Sequence, residues 1–528
     1  MRKLLLLLLF LSLSGFSQEH AWVYFTDKAN VEEALTHPES ILSAEAIQRK
    51  ALHNTPIDER DVPVNEDYIV AVKAQNGIQI KAKSKWLNCI HVIGTTEAIL
   101  ALEKLKFVDS IEFAADALNQ RAPLKQTKRH GKLEQAADYN YGSTANQVMM
   151  LNTDYLHKND YTGDNMIIAV LDAGFPNVKS LQVFQDMRNN GHLLGGYDFP
   201  NRSDDFDNPS LSDHGTLVLS TMGGKIPNLF IGTAPEASYY LFRTEIATSE
   251  TPVEESYWVE AAERADSLGA DVINSSLSYS LFDNPAYNYS TEDMDGETAF
   301  VSRGAEIAME KGMLVVVSAG NSAEDEEFPV VAAPADANVL TVGAVDPNEN
   351  YVSFSSTGPS ADNRVKPEVV AQGSQVAAID ESGHLVGVVG TSFSSPILAG
   401  SAASFWQSKP SLTNLEVKNF IIASASLYPN FNYKIGYGIP NFKKAYELAF
   451  PENFGSVAFA PNPTSNILKI RNTNSEPFHF ILFDTLGQKL FEKLDDNYEI
   501  NMAGFSRGIY IAMFEQDGIR KSSLIIKK

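Results

Sequence analysis

Gly390-Thr391-Ser392-Phe393-Ser394-Ser395-Pro396 is preceded by an apolar run, Leu385 to Val389, and followed by small and apolar residues from Ile397 to Trp406. That order reads as strand, tight turn and buried helix. A serine in the turn then stands at a helix N-terminus, where backbone N–H groups and the helix dipole favour negative charge. The place suits a nucleophile whose attack creates an oxyanion. It suits a plain N-cap serine equally well. Ser392 acquires chemical meaning only from partners elsewhere: a base for its hydroxyl and a carboxylate to orient the base.

Three other segments offer such partners. The apolar run ending at Val170-Leu171 closes on Asp172-Ala173-Gly174, and Asp213-His214-Gly215-Thr216 opens an apolar helical run from Leu217 to Met222. Ser318-Ala319-Gly320-Asn321 ends another apolar strand. Taken singly, the Asp and the Asn read as turn formers and the His as a structural residue. Their context is shared, however. From about 145 to 448 apolar strands (Met166 to Leu171, Val272 to Asn274, Met313 to Val317, Val339 to Val345) alternate with helices (Val253 to Leu268, Phe300 to Lys311). The pattern predicts an α/β parallel sheet covered on both faces, with ligands at the carboxyl ends of its strands. All four residues fall there, in the roles of orienting acid (Asp172), base (His214), oxyanion donor (Asn321) and nucleophile (Ser392).

At this point the region resembles the subtilisin family of serine proteases, over roughly residues 148 to 447. The family's Asp-Ser/Thr-Gly, His-Gly-Thr, Gly-Thr-Ala-Pro, Asn and Gly-Thr-Ser-Met-Ala-x-Pro boxes are matched by Asp172-Ala173-Gly174, His214-Gly215-Thr216, Gly232-Thr233-Ala234-Pro235, Ala319-Gly320-Asn321 and Gly390 to Pro396. Lys366-Pro367-Glu368-Val369 and Gly436-Tyr437-Gly438 resemble further landmarks. Ala173, Leu217, Phe393 and Ser394 depart from the pattern without removing a catalytic atom. The resemblance implies a serine endopeptidase acting through an Asp172-His214-Ser392 triad and an acyl-enzyme, with Asn321 in the oxyanion hole. It implies a substrate-binding wall at Ser276, Leu277 and Ser278, and protein or peptide substrates. Bulk at Ser278 and Tyr279 suggests small or medium side chains in the primary pocket. The acidic insert from Tyr279 to Glu297 either rims the cleft, favouring basic substrates, or is a solvated loop. A catalytically inactive subtilase-fold binding or adhesin protein is the alternative function.

The flanks and composition set the setting. The chain has 528 residues, 44% hydrophobic, with net charge −24, which fits about three domains and argues against nucleic acid as a partner. Arg2-Lys3, a Leu-rich run and Ser14-Gly15-Phe16-Ser17 read as a signal peptide over 1–17. No later run is long enough to span a membrane, so export without a transmembrane segment is expected, as a monomer. Cys89 is the only cysteine, which excludes an intramolecular disulfide; its apolar surroundings predict a buried thiol.

Residues 18–135 read as a small α+β module plus linker. Ala21 to Phe25, Tyr68 to Lys73 and Ile78 to Lys83 read as strands, Ser43 to Leu52 and Thr96 to Leu105 as helices. Lys125, Lys128, Arg129 and Lys132 mark an exposed linker, a plausible processing site. The family position implies an inhibitory propeptide, hence a zymogen. Residues 455–528 carry short runs at regular spacing, the signature of a small all-β sandwich. Ala460 to Asn466, Asp484 to Gln488 and Gly508-Ile509-Tyr510 resemble the sorting domain of the type IX secretion system of Bacteroidota. That implies passage through the periplasm to a secreted or cell-surface location, with that machinery as a partner. No cofactor is required and no metal ligands are assigned. Asp204-Asp205-Phe206-Asp207-Asn208 offers oxygen ligands that suit a structural Ca²⁺, or forms a solvated turn.

Overall fold

Largely apolar strands pair into a parallel sheet in the first of two compact units. A computed structural model describes residues 18–119, 130–131, 140–450, 457–460, 464–472, 478–484, 488–495, 497–516 and 519–528. The signal-peptide stretch, most of the basic linker and the turns at Pro461-Asn462-Pro463 and Leu486-Gly487 lie outside the described residues. The chain divides into two compact units, Met1–Tyr446 and Glu447–Lys528.

In the first unit seven strands pair in the order Val369–Gln372, Leu340–Val345, Leu314–Ser318, Val272–Ser275, Ile167–Asp172, Ser238–Arg243, Leu193–Asp198. Every pairing is parallel. Leu314–Ser318 and Leu340–Val345 are buried at every position, as required of strands covered on both faces. The helix Val253–Ser267 packs on Phe300–Glu310, and Thr391–Ser408 packs on His214–Gly223. The strand Leu385–Val388 ahead of Ser392 does not join this sheet. It forms an antiparallel hairpin with Val376–Ile379, and only one of its faces is partly covered.

The N-terminal module is a four-stranded antiparallel sheet ordered Gln79–Ser84, Cys89–Gly94, Glu19–Phe25, Val108–Phe113. Cys89 is buried. The segment expected as a strand at Tyr68 to Lys73 is instead the helix Glu66–Lys73. Asn65 caps it by accepting the Asp67 N–H, and Glu66 and Asp67 sit in its first turn, where they complement the dipole.

This sheet lies on the Val253–Ser267 helix. Trp22 stacks on Phe300 with ring centroids 4.5 Å apart, and its indole N–H donates to Ser256 at 2.8 Å. Glu263 accepts the backbone N–H groups of Trp86 and Lys85 at 2.9 and 3.0 Å and the Ser84 hydroxyl at 2.6 Å. Buried charges cross the same contact: Arg49 and Lys50 pair with Asp266, and Lys311 with Asp61 at 2.7 Å.

The C-terminal unit has two antiparallel sheets, one of three strands and one of four. Between the alternating strand residues lies a core that includes Leu468, Phe480, Leu482, Tyr510 and Ile525. Among the described residues no helix is long and apolar enough to cross a membrane.

Removing one partner of a buried ion pair strands the other in low dielectric, at a cost of about 3–5 kcal/mol. Asp266→Ala should therefore lower the unfolding free energy of the full chain by about that amount in denaturant titration; a change under about 1 kcal/mol would show that Arg49 and Lys50 are not held by this carboxylate.

Candidate active site

Four segments converge at the carboxyl end of the sheet. Asp172 is the last residue of its strand and has no exposed surface. A charge there is expensive unless paired. Its Oδ1 accepts the Ala173 N–H and the Nδ1–H of His214, each at 2.7 Å. Oδ2 has no hydrogen-bond donor among the described residues, since Ala173 offers a backbone N–H but no hydroxyl. His214 is the first residue of its helix. Gly215 lets that helix approach, because a Cβ there would lie 2.4 Å from the Gly174 carbonyl oxygen.

The imidazole side chain is 31% exposed. Burial works against its charged form, but the charge and hydrogen bond of Asp172, with Asp213 and Glu245 adding to them, prevail. The His214 pKa stands above the usual 6.5. Asp172 thus fixes the Nδ1–H tautomer and leaves Nε2 as the basic atom.

Ser392 is the second residue of the Thr391–Ser408 helix, whose N-cap is Gly390. It is therefore not the N-cap, and its backbone N–H belongs to the first turn, which lacks intrahelical acceptors. Gly390 adopts φ 142°, a conformation that side chains disfavour. The Ser392 hydroxyl lies 3.5 Å from the Ser276 carbonyl oxygen, at the limit of hydrogen bonding. Among the described residues it makes no hydrogen bond to His214. The Ser276 hydroxyl donates to the Ser392 carbonyl at 2.9 Å. Asn274 joins Ser276 to Ser395, so the helix start is pinned to the strand beside it.

Asn321 is exposed. Its Oδ1 accepts the Thr391 N–H at 2.9 Å and the Thr391 hydroxyl at 3.0 Å. A backbone N–H can only donate, so the amide must present its oxygen to Thr391. The Nδ2 group is left free, within 3.4 Å of where a Cβ on Gly390 would stand. Phe393 is 5% exposed, and its ring lies 5.7 Å from the His214 ring. The aromatic next to Ser392 thus packs against the imidazole.

Of the expected substrate wall, Ser276 is buried, Leu277 half-buried and Ser278 exposed. Tyr279 turns inward, 2% exposed, and donates its hydroxyl to Glu245 at 2.6 Å. In the insert that follows, Phe282, Tyr287 and Met294 are buried while Asp283, Glu292 and Glu297 are exposed, and Tyr287 donates to Glu19 of the N-terminal module at 3.0 Å. Glu245 was not singled out from sequence. It lies two residues after the Ser238–Arg243 strand, and the polar Arg243 and Thr244 before it mask the signal that marks Asp172, an acid directly after an apolar run. Burial pushes its carboxyl up to about 7, with Glu250 and Asp172 adding their charge against the hydrogen bonds of Tyr279 and Thr244.

In the 204–208 turn, Asp207 pairs with Lys179 at 2.5 Å and Asn208 donates to Asp205 at 2.7 Å. Among the described residues no group of three or more His, Cys, Asp or Glu is arranged to hold a metal ion.

An acid, an oriented imidazole, a serine at a helix start and a free amide donor in one place define the equipment for acyl transfer. Residues 163–438 match the Subtilase family, 20–131 the Peptidase S8 propeptide domain of Bacteroidota, and 458–528 the secretion system C-terminal sorting domain. Subtilisin DY of Bacillus licheniformis is 30% identical over 302 residues, covering 56% of this chain and 97% of its own length. Subtilisin E of Bacillus subtilis (strain 168) is 27% identical over 377 residues, covering 71% of this chain and 84% of its own. The structure of a serine protease, MycP1, a component of the type VII (ESX-1) secretion system, aligns with TM-score 0.45 and 23% identity, covering 62% of this chain and 93% of that one. The chain belongs to the subtilase family of serine endopeptidases, with a propeptide domain before the peptidase domain and a sorting domain after it.

Phe393→Ala should cost about 3–5 kcal/mol in denaturant unfolding by emptying the space against His214, whereas Phe393→Met should cost less than about 1.5 kcal/mol. Equal and small effects would contradict a packing role for the ring.

Proposed function

We propose that Ser392, His214 and Asp172 act as one catalytic unit in an exported endopeptidase made as a zymogen. The observation that carries the reading is the 2.7 Å hydrogen bond from His214 to the buried Asp172, in a site that also holds Ser392 and a free Asn321 amide. The hydrogen bond between Ser392 and His214 forms as substrate is engaged, in keeping with the looser geometry of unliganded sites. His214 Nε2 then takes the hydroxyl proton as Oγ attacks the peptide carbonyl. The Ser392 N–H and the Asn321 amide hold the oxyanion. His214 returns the proton to the leaving amine, and water, activated by the same imidazole, releases the acyl group. Ser276, Leu277 and Ser278 receive the substrate as an extended strand.

The match to a propeptide domain and its buried contact with the Val253–Ser267 helix support a zymogen whose N-terminal module is removed after export. The sorting domain supports export; passage through the periplasm and outer membrane by the type IX machinery, after removal of residues 1–17, is the fuller reading.

Kinetics on the mature enzyme test the chemistry. Ser392→Ala should lower kcat by about 10⁶-fold and Asn321→Ala by about 10²–10³-fold. Because His214 must be neutral to accept the proton and its pKa is raised, kcat/KM should fall as the pH drops through a midpoint above 6.5. Near-normal turnover in Ser392→Ala, or an acid limb centred below 6.5, would contradict these roles. For the export route, deleting residues 455–528 should leave the protein in the periplasm on cell fractionation; normal appearance in the medium or at the cell surface would exclude a sorting role.

A further inference from the structure

We propose that Glu245 is a specificity residue that receives a basic side chain, Lys or Arg, at the substrate position preceding the scissile residue. The inference rests on the protease reading above and deepens it. Glu245 follows the Ser238–Arg243 strand, which lies beside the Ile167–Asp172 strand with Arg243 opposite Asp172. Thr244 donates its N–H to the Asp172 carbonyl at 3.0 Å. Glu245 therefore stands at the ligand-binding end of the sheet, next to the Asp172-His214 pair.

Its Oε1 accepts two hydroxyls, from Thr244 at 2.9 Å and Tyr279 at 2.6 Å. Tyr279 is the residue immediately after the Ser276–Ser278 wall. The carboxylate is thus tied to the residue that ends the wall, and it lies near enough to His214 for its charge to act on the imidazole. In an extended peptide alternate side chains point to opposite faces. When the scissile residue's side chain enters the primary pocket, the preceding one is directed away from it, towards His214 and Glu245.

Oε2 accepts no hydrogen bond among the described residues, although Glu245 is only 9% exposed. That oxygen is not sealed from solvent, so a donor can reach it. Among the described residues no Lys or Arg is paired with Glu245, although His214 lies close enough for the Glu245 charge to act on it. The charges acting most strongly on Glu245 are those of Glu250 and Asp172, and on Glu254 those of Glu245 and Glu250. Asp283 in turn bears on Glu250 and accepts its N–H at 3.2 Å. Burial and this one-signed field hold the Glu254 carboxyl up at about 8. A single unpaired oxygen beside other carboxylates matches one ammonium or guanidinium donor. A neutral side chain brings no charge to this field, and an acidic one is repelled.

The test uses three peptides that differ only at the position preceding the scissile residue: Lys, Met or Glu. With mature wild-type enzyme, kcat/KM should favour Lys over Met by about tenfold, with Glu lowest. The Lys-to-Met ratio should grow from pH 6 to pH 8 as Glu245 ionises. The groups facing it are Asp172, His214, Glu250, Glu254, Asp283 and Tyr279, and the titration of His214 acts on both peptides alike and cancels in the ratio. Glu245→Gln keeps an acceptor for Thr244 and Tyr279 but removes the charge, and should bring the ratio to within about twofold of one. A wild-type ratio near one, or a Lys preference that survives Glu245→Gln, overturns the inference and leaves the protease reading standing. Failure of the wild-type enzyme to cleave any of the three peptides, or casein, sinks both.

Discussion

A carboxylate with no exposed surface closes a strand that is apolar from end to end, and the site depends on how that charge is compensated. Asp172 has one backbone N–H and one imidazole N–H on Oδ1 and, among the described residues, no donor on Oδ2. Because the protein gives it few donors, its hydrogen bond to His214 matters both to the stability of the strand end and to the basicity of the imidazole. Loss of either partner would leave a buried polar group unpaired. The close approach of Gly215 to Gly174 is the steric condition for that contact.

The remaining parts position chemistry around this pair. The parallel sheet sends Asp172, Glu245 and Asn321 to one end, because all of its strands run the same way and each ends in a loop there. Thr391 orients the Asn321 amide, and Asn274 and Ser276 pin the start of the Ser392 helix. Phe393 backs the imidazole from the same helix turn. The N-terminal module is held by stacking, backbone hydrogen bonds and buried ion pairs at the Val253–Ser267 helix.

Much of this was legible in the chain itself. Polar residues directly after apolar runs marked Asp172 and Asn321, and the run beginning at Leu217 marked His214 as a helix start. The parallel sheet followed from strands without alternation. The misreadings have local causes. Tyr68 to Lys73 carries β-favouring residues, but the Asn65 cap and the acidic first turn decide for helix. The run before Ser392 is a strand, yet its partner is a hairpin neighbour that periodicity does not reveal. Glu245 escaped notice because Arg243 and Thr244 interrupt the apolar run before it, and its importance arises from Tyr279 and Asp172, which are distant in sequence. The place of Phe393 against His214 likewise depends on a tertiary contact.

On the reading proposed above, the His214-Asp172 pair makes Ser392 nucleophilic. The most direct measurement is mass-spectrometric mapping of the mature secreted protein after treatment with a fluorophosphonate, in parallel with Asp172→Asn. A single adduct on Ser392 is expected, formed at least about 10³-fold more slowly in the variant, in which the imidazole loses its tautomer control. An unlabelled Ser392, or equal labelling in both proteins, would contradict it.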